Sequence, residues 1–210
     1  MIIDGYETRS HRTFAVVDVE TTGLEAARER VIEIGVILLN EALETEREWT
    51  TLVNPERPVT ASHIHGIHDS DLACAPRFCD ISEELVSLLC GRIFVAHNAP
   101  FDQGFINREF ARTRSYHTIY ANNTVCTMDQ SRIYCPPGSH ALLKLAQRLG
   151  IADHQKHRGL SDARMCADLL RYYVECESRS KRFAHSAINR HGHTVMPAQW
   201  LRAAPMKFSR

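Results

Sequence analysis

Asp18 and Glu20 close an otherwise apolar run, Phe14–Val19 (FAVVDV). Two positions apart on a strand, their side chains leave the same face. Two like charges about 4 Å apart repel by ~4 kcal/mol at an effective dielectric near 20. The pair therefore either extends into solvent beyond the strand end or shares a cation. Asp102 is followed by Phe105, Ile106 and Phe110, and Asp162 by Cys166, Leu169 and Tyr173. At helical spacing each Asp lies on or beside an apolar stripe. Singly, either serves as an N-terminal carboxylate favoured by the helix dipole. Together, three separate elements each aim a carboxylate from the edge of an apolar face, and one metal site accommodates all four acids. All-oxygen ligation suits magnesium or manganese. Two such ions, ~3.5–4 Å apart, flank a phosphodiester, one activating water and the other stabilising the leaving oxygen. Near Asp162, His154 and His157 are both candidates to take a proton from that water.

These side chains need a framework. Val31–Leu39 (VIEIGVILL) is a second buried strand, and Glu48–Val53 a candidate third. The intervening TTGLEAARER fits a hairpin-like excursion turning at Gly23, and Asn54–Asp71, broken by Pro55, Pro58 and Gly66, reads as loop. Helical patterns cover Ile81–Cys90, the segment that Asp102 begins after Asn98-Ala99-Pro100 and that runs through Phe110, Ala141–Leu149 and Leu160–Glu175, with another buried strand at Arg92–Ala96. Strands first, then helices alternating with a strand, predict a mixed sheet flanked by helices in one α/β domain over residues 11–177.

Of the 210 residues, 44% are hydrophobic and 24% charged, ordinary for a soluble globular protein. No stretch approaches the ~18 apolar residues of a membrane span, and MIIDGYETRSHRT lacks the parts of a secretory signal, so a cytoplasmic protein is expected. Seven cysteines without a CxxC pair, with Cys90, Cys126 and Cys166 beside apolar neighbours, predict buried reduced thiols. His63, His65 and His68, or His191 and His193, lack the two-pair spacing of structural zinc. The net charge of zero is unevenly spread. From Ser178 onward there are seven Lys and Arg and no Asp or Glu, so that tail carries about +7 and the remainder about −7. An acidic body binds nucleic acid poorly unless its carboxylates hold cations, which turn an acidic cleft into a phosphate-binding one. The tail, residues 178–210, has little periodic apolar content and is expected either to be disordered or to order against a partner.

In chain order, DVETTG (Asp18–Gly23), HNAPFD (His97–Asp102) and HRGLSDA (His157–Ala163) closely resemble the three exonuclease motifs of the DEDDh family. That family includes the proofreading epsilon subunit of bacterial DNA polymerase III. VIEIG (Val31–Gly35) and IHGI (Ile64–Ile67) also match, and the resemblance spans about residues 12–176. It implies a ribonuclease H-like fold with a central mixed five-stranded sheet. It assigns Asp18, Glu20, Asp102 and Asp162 to the metal ions and chooses His157 over His154 as general base. It further implies that Thr21, Thr22, Leu24, Ile64 and His65 hold the 3′-terminal nucleotide. Asn98 and Phe101 then support the cleft near the terminal base or the adjacent phosphate. Relatives often carry an Asp-Thr-Leu-like run where this chain reads Cys126-Thr127-Met128. The missing acid lies outside the five catalytic positions and bears on packing.

The resemblance implies a metal-dependent 3′→5′ exonuclease, with DNA ends favoured as substrate, nucleoside 5′-monophosphates as products and two Mg²⁺ or Mn²⁺ ions as cofactors. Proofreading or repair beside a DNA polymerase is the matching role. The same chemistry on RNA, as in ribonuclease T or oligoribonuclease, is the competing expectation. A non-catalytic module binding nucleic acid or a polymerase is another, which a missing acid or histidine would favour. For the basic tail, contact with nucleic-acid backbone, contact with a protein, and a solvated solubility role all remain open.

Overall fold

The computed structural model describes residues 12–59, 62–114, 116–151 and 158–208. β1 (Phe14–Thr21) runs antiparallel to β2 (Val31–Leu39), which runs antiparallel to β3 (Thr45–Leu52). Two short helices follow, α1 (Ser62–His65) and α2 (Asp69–Leu72), inside the segment expected to be loop. Then come α3 (Phe78–Leu89), β4 (Ile93–Ala96) and α4 (Ala99–Arg112), with β4 parallel to β1. β5 (Thr124–Cys126) pairs parallel with β4 and leads into α5 (Thr127–Tyr134), α6 (Leu142–Leu149) and the long α7 (Gly159–Ser178). The sheet order is β3-β2-β1-β4-β5, a mixed five-stranded sheet flanked by helices as expected.

The period of two along β1 divides its side chains between two cores. Phe14 and Val16 pack with Ile37 and Leu39 of β2 under α5, α6 and α7. Ala15, Val17 and Val19 face the other way, against α3 and α4. Every residue of β2 is buried, which is why its sequence reads as a continuous apolar run rather than an alternation. β3, at one edge, is mostly exposed and carries Glu46, Arg47 and Glu48, charges that discourage pairing with another chain.

The segment after Ser178 departs from expectation. Its described residues carry regular structure and fold back on the domain. β6 (Ala187–Ile188) and β7 (Thr194–Val195) form a hairpin, and Val195, Ala198, Trp200 and Ala203 enter the core shared with α5 and α7. The Trp200 and Tyr134 rings lie 5.6 Å apart. The Gln199 side chain accepts the backbone N–H of Cys126 at 3.0 Å, covering the β5 edge of the sheet. Short regular elements and side-chain-to-backbone bonds hold this segment, so no periodic pattern announces it.

All seven cysteines are free. Cys126, Cys135, Cys166 and Cys176 are buried, but Cys90, expected inside, is exposed. The apolar stripe of α3 ends with Leu88 and Leu89, and Cys90 is the residue at which the chain leaves the helix. Among the described residues, no helix is long and apolar enough to cross a membrane.

Candidate metal centre

Parity along β1 aims Asp18 and Glu20 at the α7 face of the sheet, in line with Phe14 and Val16. In the β1–β2 ladder Asp18 lies opposite Gly35 and Glu20 opposite Glu33. α7 enters over this point. A Cβ on Gly35 would overlap the backbone of Gly159 and Leu160, and a Cβ on Gly159 would sit 3.0 Å from Gly35 N and 3.3 Å from Asp18 O. A side chain on Gly35 would block so close a crossing, and one on Gly159 would crowd it. Glu33, buried to 3% exposure, accepts the Gly159 N–H at 2.9 Å and pairs with the Arg158 guanidinium at 3.0 Å, fixing the start of α7. Asp162, in the first turn, is thereby delivered to β1.

The fourth carboxylate arrives from the opposite layer. α4 follows Asn98, its N-cap, takes Pro100 in its first turn, and buries Asp102 beside the strand end. Asp102 Oδ1 accepts the Val19 N–H at 3.2 Å, so the acid is tied to the backbone between Asp18 and Glu20.

Carboxylate oxygens of Asp18, Glu20 and Asp162 lie within 4.8 Å of one another, a separation one metal ion can bridge. Burial raises the Asp18 carboxyl well above its usual range, and Asp102, Asp162, Glu20 and Glu33 raise it further. Burial likewise pushes Glu20 up to about 8, with Asp162, Glu33 and Asp102 adding to the shift and Arg158 opposing it. Asp102 is raised by burial to about 7, against the lowering effect of the Val19 N–H. Partly desolvated acids crowding one another are unfavourable as anions without a cation between them. This donor set fits a hard divalent cation. The histidines that invited a zinc reading form no such group among the described residues.

The other expected site residues take varied positions. Thr21 and Thr22 are buried; Thr21 donates to Gly23 O at 2.6 Å, and Thr22 donates to Glu29 Oε2 at 2.5 Å. Leu24 is 83% exposed in the turn after β1, and Ile64 is 51% exposed in α1. His65 is buried, its Nδ1 accepting the Ile67 N–H at 3.1 Å. Phe101 packs against Phe105 at 4.7 Å, and Asn98 accepts a hydrogen bond from Arg190. His157 and its competitor His154 lie outside the described residues.

Several contributors carry no role on the strength of sequence alone. Glu33, Gly35, Arg158 and Gly159 position α7 although they bear no reacting group. Their presence in VIEIG and HRG was the available signal. His97 is buried and bridges β4 to later segments, its Nδ1 3.0 Å from Thr127 Oγ1 and its Nε2 2.9 Å from the His140 carbonyl. Burial lowers its pKa to about 4.

A family model described as Exonuclease (RNase_T) matches residues 15–170. The DNA polymerase III subunit epsilon of Treponema pallidum (strain Nichols) is 33% identical over 198 residues, covering 92% of this chain and 86% of that protein. Among solved structures, the zinc-bound form of the Escherichia coli exonuclease I complex with single-stranded DNA superposes with a TM-score of 0.72 at 18% identity. The match covers 80% of this chain and 42% of that one, so this chain spans less than half of that enzyme. The nuclease domain of 3′hExo, a DEDDh family member bound to rAMP, gives a TM-score of 0.67 at 20% identity, covering 84% of this chain and 95% of that one.

Proposed function

The chain belongs to this exonuclease family, and from that premise we propose that it hydrolyses DNA from the 3′ end, releasing nucleoside 5′-monophosphates in proofreading or repair. The observation that carries the reading is the meeting of Asp18, Glu20 and Asp162, with Asp102 bonded to the backbone between the first two. The relative named as a DNA polymerase III subunit supports DNA as substrate and a polymerase as partner.

Asp18, Glu20, Asp102 and Asp162 are the residues to hold two Mg²⁺ or Mn²⁺ ions. When bound, such ions lower the pKa of a coordinated water and neutralise charge developing on the phosphate. His157 takes the proton of the attacking water as general base, a role supported by its place five residues before Asp162 in the HRGLSDA motif. Water adds to phosphorus, the bond to the 3′ oxygen of the preceding nucleotide breaks, and that oxygen takes up a proton from solvent water. Leu24 and Ile64, large apolar side chains left in solvent, supply surfaces against which a terminal base stacks. Thr21, Thr22, His65, Asn98 and Phe101 line and support the remainder of the cleft.

Digestion of matched, end-labelled DNA and RNA oligonucleotides, with 3′-blocked controls, in magnesium and in manganese, tests the reading. Loss of single nucleotides from free DNA 3′ ends is expected, with protection by the block. Faster attack on RNA would transfer the assignment to exoribonucleases, and no hydrolysis with either metal would overturn it.

A further inference from the structure

The positively charged segment after Ser178 brings one of its charges to the start of α4, the helix that carries Asp102. Between β6 and β7 the turn Asn189–His193 presents Arg190, whose Nη2 donates to Asn98 Oδ1 at 2.7 Å. Asn98 is the N-cap of α4 and precedes Asp102 by about one helical turn. The hairpin is anchored rather than loose. Asn189 Nδ2 donates to Asp129 Oδ2 at 3.0 Å, Gln130 Nε2 donates to the Met196 carbonyl at 3.0 Å, and Trp200 is buried beside Tyr134. Arg190 is exposed, and its guanidinium has five N–H donors, more than its contacts to Asn98 and to His191 Nε2 consume.

We infer that Arg190 is a phosphate-binding residue, gripping the backbone of the strand whose 3′ end occupies the acidic site. The inference rests on the exonuclease reading and deepens it, since the carboxylates repel a polyanion wherever cations do not screen them. A guanidinium held at the start of α4 adds attraction at a fixed place and suits the paired oxygens of a phosphate. Its bond to Asn98 also orients that amide, leaving the Nδ2 donors for a second substrate oxygen.

The test compares Arg190→Ala and Arg190→Lys with the wild-type full chain on a single-stranded DNA oligonucleotide, reading kcat, KM and Tm. Binding is measured in parallel over a salt series with the Asp18→Asn variant as background. Arg190→Ala is expected to raise KM about five- to twentyfold, the effect of one lost charge-assisted hydrogen bond, with little change in kcat or Tm. The slope of log binding constant against log salt should flatten by about 0.7, one phosphate contact on a single strand. Arg190→Lys should restore most of the salt slope but only part of KM, because a point charge replaces a planar fork. Unchanged KM and salt slope in Arg190→Ala, with an active wild type, would refute the role of the hairpin alone. An inert wild type would refute the nuclease reading and the inference with it.

Discussion

Gly35 and Gly159 meet backbone to backbone, directly beside the Asp18 carbonyl, with no room for a side chain on Gly35 and little for one on Gly159. The distance from α7 to the sheet at this point sets the distance from Asp162 to Asp18. Gly35→Ala should therefore push the start of α7 outward. A loss of about 2–3 kcal/mol is expected from overpacking, or a fall in Tm of about 4–12 °C. Activity should drop further than the folded fraction explains. A variant with wild-type Tm and turnover would show that the crossing is not tight.

Asp18→Asn should abolish turnover and, without metal, stabilise the fold. The Asp18 carboxyl is raised by burial and by neighbouring acids, so its anion is unfavourable in the folded state. Removing it should raise the Tm of the metal-free protein by a few degrees at pH 8, the trade between stability and function that active sites show. Adding magnesium should then raise Tm in the wild type and much less in the variant. Calorimetry with and without chelator distinguishes these outcomes, and a lower metal-free Tm for the variant would contradict the electrostatic argument.

Metal uptake should release protons. Glu20 at about 8 and Asp102 at about 7 hold protons near neutrality in the folded, metal-free chain. Metal affinity should climb from pH 6 to 8.5, by up to about tenfold per pH unit for each proton displaced. Because the folded pKa values lie above the unfolded ones, these acids contribute stability that is complete below about pH 4 and lost as pH rises through 7 and 8. Titrations in buffers of different ionisation enthalpy would count the protons; zero release at pH 7 is the outcome that sinks this prediction.

His97 should add acid sensitivity of the opposite sign. Its pKa falls from 6.5 to about 4 through burial, so its contribution is present above pH 6.5 and lost as pH drops toward 4. His97→Gln should cost about 1–2 kcal/mol at neutral pH through the disturbed bonds to Thr127 and His140. The gap from wild type should narrow on acidification between those limits. Denaturant melts at pH 7 and pH 4.5 give the two values, and a constant gap would remove His97 as the source.

Sequence made the carboxylates legible because acids interrupting apolar stripes are physically conspicuous. β1 and β2 were equally plain, being long, rich in β-branched residues and largely buried. β5 was not, since three residues, Thr124–Cys126, are too few to display a period. α5 escaped for another reason. Its inward face includes Thr127, Gln130 and Ser131, polar groups made tolerable by partners outside the helix, such as Met196 and His140. No local pattern foretells that. The same holds for the end of the chain, where Trp200 and Val195 find their core through bonds to α5 and β5 rather than through repetition.

Gln199 occupying the Cys126 N–H has a practical corollary. β3 resists stray strands by its charge, but β5 depends on a shield supplied from 73 positions later in the chain. Trimming the polypeptide at Ser178 would therefore leave a raw, apolar border and a bare Tyr134 ring, inviting one molecule to zip onto the next.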